Sequence, residues 1–100
     1  MKLSEAIREG IRKDGKQVFG TMFSIKWERG GTSTEGFITG CCALGAAYIG
    51  LGYDPLTDPN AIVLLEKLYG GDLVTRVIEL NDGELWTRED IAGHLESIGQ

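Results

Sequence analysis

The sequence predicts a mainly α fold, about five helices around a central Gly/Ala/Cys-rich helix. The alternative is α+β, with a short two-stranded β-ribbon inserted after the first helix. Three observations carry this expectation. Residues 36–53, GFITGCCALGAAYIGLGY, hold both cysteines, five of the fifteen glycines and no charged residue. A run so apolar belongs in the interior, and its small side chains let neighbouring backbones approach. Apolar residues recur at helical spacing in the segments flanking it, and between the first of these and the central run the period drops to two.

In chain order, Leu3, Ala6, Ile7, Gly10 and Ile11 line one helical face, and Glu5, Arg8, Glu9, Arg12 and Lys13 the other. Ser4 reads as the N-cap, Glu5 falls in the first turn, basic residues gather at the far end, and Asp14-Gly15 ends the helix. From Gln17 the pattern changes: Phe23, Ile25 and Trp27 alternate with Ser24, Lys26 and Glu28, as in a strand. Gly30 to Thr34 reads as a loop, and Gly36 to Thr39 as a second short strand. The competing reading is a helical turn around Val18 to Phe23 followed by irregular chain. The central helix is expected over Cys41 to Leu51, broken by Gly52-Tyr53-Asp54-Pro55.

Asp58-Pro59 is a start signal, an N-cap followed by proline at the first helical position. Ala61, Ile62, Leu64, Leu65, Leu68 and Tyr69 give a wide inward face, and Gly70-Gly71 ends that helix. Asp72 is expected to cap a fourth helix with Leu73, Val74, Val77, Ile78 and Leu80 inward, stopped by the turn Asn81-Asp82-Gly83. Thr87 with Asp90 resembles a capping box, and Trp86 and Ile91 hold the two positions of a hydrophobic staple. Ile91, Leu95 and Ile98 form the inward stripe of the fifth helix, closed by Gly99.

At 100 residues the chain is expected to form one domain, 1–100. With 42% hydrophobic and 25% charged residues it falls in the globular range, with a core sufficient without disulfides or metal. A net charge of −5 argues against nucleic acid, which asks for a basic patch. Arg8, Arg12, Lys13 and Lys16 read instead as a solvated face partnered by Glu5 and Glu9. The N-terminus lacks a signal-peptide pattern. The uncharged run of 36–53 reaches only the lower edge of a membrane span, and its glycines weigh against one. The expectation is a cytoplasmic protein with reduced thiols, no membrane contact and no cofactor.

Chemistry has two candidate locations. Cys41-Cys42 cannot readily bridge each other, and with His94 alone they fall short of a zinc site. A thiolate is the better-founded possibility: in the first turn of the central helix, amide N–H groups would depress a cysteine pKa. His94 would then be the base and Asn81 or Asp82 its orienter. The plainer and preferred reading makes both cysteines small core residues. The second location is the acidic loop Asn81, Asp82 and Glu84 beside Trp86, suited to a cation or basic partner; a helix-ending turn leading into an N-cap explains the same residues. Gly40, Gly45 and Gly50 lack the Lys-Ser/Thr of a phosphate loop and mark close helix contacts instead.

Cys42-Ala43-Leu44-Gly45-Ala46-Ala47, followed by Leu80-Asn81-Asp82 and then Trp86-Thr87-Arg88-Glu89-Asp90-Ile91-Ala92, resembles a group of small bacterial and phage-associated proteins. That group pairs a Cys-Ala-Leu-Gly-Ala block with an Asn-Asp…Thr-x-Glu block near the C-terminus. The doubled cysteine and the longer segment Lys26 to Glu35 depart from its pattern. The resemblance implies a small, mainly helical domain in which the two blocks form one unit, and implies no activity.

With no assembled catalytic motif, the expected function is a small interaction or accessory domain, acting on a protein partner or as a homodimer. The surplus of Phe19, Met22, Phe23, Trp27, Phe37 and Trp86 favours association. The alternative is a cysteine-dependent enzyme or redox protein using Cys41 or Cys42.

Overall fold

The computed structural model describes residues 1–13, 16–18, 22–30, 33–55 and 60–100, with 24–30 and 33–39 given by their backbone. Its elements are α1 (Leu3–Lys13), β1 (Phe23–Gly30), β2 (Ser33–Cys41), α2 (Ala43–Gly50), α3 (Ala61–Tyr69), α4 (Gly71–Ile78) and α5 (Arg88–Ser97). A π-helical turn, Glu79–Gly83, continues α4. The fold is mainly α, with one antiparallel two-stranded ribbon.

The small-residue run is central, as expected. Every residue of α2 except Ile49 is buried, the condition of a helix apolar on all sides. It begins at Ala43 rather than Cys41: Cys41 still belongs to β2, and Cys42 is the N-cap. Glycine sets how near α1 comes. A Cβ on Gly10 would lie 1.7 Å from the Ala46 carbonyl oxygen, and one on Gly50 would lie 1.9 Å from that of Ala6. The two helices therefore meet backbone to backbone.

In α1, the apolar face Leu3, Ala6, Ile7 and Gly10 is buried as read from its spacing. Ser4 is not its cap. The helix starts at Leu3, and Ser4 is buried with its N–H donating to the Gln100 carbonyl at 3.1 Å. Arg12 pairs with Glu9, while Arg8 reaches across to Glu96 and Glu89 of α5 rather than to Glu5. The expected end at Asp14-Gly15 lies outside the described residues.

The ribbon runs from the pair Phe23–Cys41 to the pair Gly30–Ser33, with a bulge between Ser24 and Ile25. Its second strand is longer than expected, because Ser33 and Thr34 join the ladder and only two residues are left to connect the strands, the length hairpins favour. At its base, residues 16–18 add a short parallel pairing: Cys41 N–H donates to the Lys16 carbonyl at 2.9 Å and Val18 N–H to the Cys41 carbonyl at 3.2 Å. This extended pairing replaces the helical turn considered for Val18. Phe19 and the side chains of Trp27 and Phe37 lie outside the description, and Met22, Phe23 and Trp86 pack half-buried on the core.

Of the remaining helices, α3 and α4 pack on α2, while α5 packs on α1. Asp58-Pro59 lies outside the described residues, and α3 begins at Ala61. Its buried seam is narrower than the sequence suggests: Ala61 and Leu65 are buried, whereas Ile62, Val63 and Leu68 are 37%, 50% and 52% exposed. Gly70, at φ 93°, both closes α3 and opens α4, so Asp72 is an exposed first-turn residue and not the cap. Val74 and Val77 are buried, while Ile78, expected inward, is exposed. In α5 the Asp90 N–H donates to Thr87 Oγ1 at 3.1 Å; Ile91 is buried in the core and Trp86 packs half-buried against it. Ile98 lies beyond the helix and is exposed, against expectation. Among the described residues no helix is long and apolar enough to cross a membrane.

Candidate functional site

The end of β2, the start of α2, the π-helical turn and the start of α5 converge on one buried polar joint. It forms because α2 begins abruptly from a strand, leaving first-turn amides without intrahelical partners. Cys42 serves one of them: its Sγ accepts from Gly45 N–H at 3.4 Å. Asn81 serves another from across the fold, its Oδ1 accepting from Ala43 N–H at 3.2 Å. The wider π turn carries Asn81 inward rather than leaving it in a solvent turn; it is 2% exposed.

Gln17 completes the joint. Its Nε2 donates to Asn81 Oδ1 at 3.0 Å and to the Trp86 carbonyl at 2.8 Å, while its Oε1 accepts from Arg88 N–H at 3.1 Å. Asn81 Nδ2 donates to the Val18 carbonyl at 3.3 Å and to Asp82 Oδ1 at 2.7 Å. Arg88, buried, donates from one guanidinium nitrogen to Cys41 Sγ at 3.2 Å and to the Cys41 carbonyl at 3.4 Å. The first turn of α2 and the π-helical turn are thus tied directly, through Ala43 and Asn81.

The two cysteines are core atoms rather than surface nucleophiles. Cys41 is fully buried and Cys42 is 7% exposed. Burial pushes the Cys42 thiol up from its ordinary value, outweighing the opposing hydrogen bond from Gly45. The depressed pKa expected of a helix first turn is therefore reversed: desolvation exceeds what the neighbouring backbone N–H groups return. The His94 ring stands edge-on to Trp86, centroids 5.8 Å apart.

The second candidate location divides. Asp82 and Glu84 are exposed, Asn81 faces inward, and Trp86 is half-buried rather than an exposed aromatic. Between them Leu85 is held at φ 56° with its side chain 62% exposed. That left-handed conformation costs a branched residue on the order of 1–2 kcal/mol. It turns the chain so that Trp86 N–H reaches the Leu80 carbonyl at 2.9 Å and Thr87 can cap α5. A shallow groove of about 330 Å³ opens beside Trp86 and Asp90. Among the described residues no group of three or more His, Cys, Asp or Glu could hold a metal ion.

Sequence reasoning missed Gln17 and Arg88, which no local pattern marks. Asn81 carried a signal: it lies seven residues after Val74 and four after Val77, on the buried stripe of α4. No protein-family model matches this chain, and comparisons with curated proteins and with solved structures return no match.

Proposed function

We propose that this chain is a small cytoplasmic association domain that pairs with a second copy of itself, rather than an enzyme. The observation that supports it best is α3, which turns Ile62 and Val63 outward and leaves Leu68 half exposed at its end. Large aliphatic side chains displayed on one short helix favour removal from water by a partner surface. The polar joint supports the same reading, because its hydrogen bonds are spent on joining segments and its thiols are covered. The chain also belongs, in this proposal, with the small bacterial and phage-associated proteins it resembles, whose paired blocks would be held by the same joint.

Light scattering and sedimentation equilibrium across a wide concentration range test the proposal. The expected result is a concentration-dependent dimer whose binding of a hydrophobic-patch dye falls as it forms. A strict monomer at the highest concentration, with no dye bound, refutes it.

A further inference from the structure

We infer that the outward face of α3 is a self-complementary docking surface, on which Glu66 of one copy pairs with Lys67 of a second copy about a two-fold axis. This rests on the association reading above and adds the surface and its register. On a helical projection Ile62, Val63, Glu66 and Lys67 stand at i, i+1, i+4 and i+5; Val63, Glu66 and Lys67 lie away from the buried seam of Ala61 and Leu65, and Ile62 lies on the flank between. Ile62 and Val63 are 37% and 50% exposed, and Glu66 and Lys67 are exposed beside them. Neither charged side chain takes part in an ion pair among the described residues, whereas Arg8, Arg12 and Arg76 all do.

An interface between identical copies must be complementary to itself. Adjacent opposite charges satisfy that requirement when two helices run antiparallel with the axis between the charges: each Glu66 then lies level with a Lys67, and the contact is made twice. The same register sets Val63 level with Gly70 of the second copy, where α3 ends, and brings Ile62 toward the Gly71 that follows it. Both glycines are exposed, and a Cβ built on either meets nothing within 4 Å. The aliphatic side chains therefore find open backbone at the partner's α3–α4 junction, and close approach is unobstructed. The occupant is a second copy because one surface supplies both the apolar residues and the open ground they need, and both signs of charge. A nine-residue helix is short, so the dimer is of the weak class, with an interface below the size of permanent complexes.

The experiment is a charge exchange, using the full chain. Glu66→Lys and Lys67→Glu are made separately, folding is checked by circular dichroism, and dimer dissociation constants are measured by sedimentation at low salt. Each variant alone sets like charges opposite one another twice and should dimerise about tenfold more weakly. Mixed in equal amounts, the two variants restore both opposite-charge pairs, and a heterodimer of near wild-type affinity should form. Val63→Asp should weaken dimerisation in the same assay without rescue by either variant. A wild-type dimer unaffected by any of these changes overturns the α3 surface and leaves the association reading standing. A monomeric wild-type protein overturns both.

Discussion

Replacing Gly10 with alanine sets two effects of opposite sign against each other. An alanine in a helix interior is favoured over glycine by about 1 kcal/mol. The added Cβ, however, would stand 1.7 Å from the Ala46 carbonyl oxygen, and ordinary contact begins near 3.4 Å. The difference, 3.4 − 1.7, asks α1 to withdraw by about 1.7 Å, because the obstruction is backbone and has no rotamer to change. Leu3 and Ile7 move with α1, and a gap of even ~1 Å forfeits up to half of each dispersion contact. Overpacking of side chains typically costs ~1–3 kcal/mol, and a backbone obstruction belongs at the upper end. The net loss should be about 2 kcal/mol, which lowers Tm by roughly 8–16 °C in a domain of this size. Gly50→Ala, whose Cβ would stand 1.9 Å from the Ala6 carbonyl oxygen, should behave alike. Gly93→Ala is the control, since Gly93 lies exposed in α5 with nothing within 4 Å of an added Cβ. It should stabilise by roughly 0.5–1 kcal/mol. Thermal unfolding followed by circular dichroism measures all three. If Gly10→Ala raises Tm as Gly93→Ala does, the backbone-to-backbone crossing of α1 and α2 is wrong.

Asn81→Ala removes the acceptor for the buried Ala43 N–H, at about 1–3 kcal/mol, and the donor to the part-buried Val18 carbonyl, which costs less. The urea midpoint should fall accordingly. Asn81→Asp keeps the acceptor but sets a carboxylate beside Asp82, so it should be at least as damaging at neutral pH and recover in part as the pH is lowered. A midpoint unmoved by either change would mean the joint contributes nothing. For Cys42 the folded thiol pKa is raised, so the folded state holds its proton more tightly than the unfolded state. Cys42 should therefore contribute stability that is full below the unfolded thiol pKa and lost as pH rises from there through the raised folded value, and Cys42→Ala should make the alkaline decline shallower. In the native protein at pH 8, thiol modification should run roughly a hundredfold slower than in the unfolded chain; equal rates would place a cysteine at the surface.

What was legible in the sequence was local. The α1 stripe, the Thr87 cap and the alternation from Phe23 each depend on residues within a few positions of one another, where spacing alone decides the geometry. The α3 face was misjudged for the complementary reason. Periodicity reports that Ile62 and Leu68 are apolar, yet burial depends on whether another element arrives to cover them. The helix starts two residues later than its composition suggests because Gly40 still belongs to the strand and the cap is a cysteine, Cys42, which accepts through sulfur rather than through a Ser, Thr, Asp or Asn oxygen. Gln17 and Arg88 were invisible because their partners lie far away in the chain, and a polar residue near a predicted turn reads as solvated.

That distance has a consequence for how the molecule opens. The hydrogen bonds of the joint span 38 residues from Ala43 to Asn81, 64 from Gln17 to Asn81 and 71 from Gln17 to Arg88. Bonds closed over such separations are expected to form late, once the helices have met. Contacts made after the transition state leave the folding rate almost untouched and act on the rate of escape. The joint is then a latch: removing Asn81 should shorten the lifetime of the native state while the chain refolds about as fast as before.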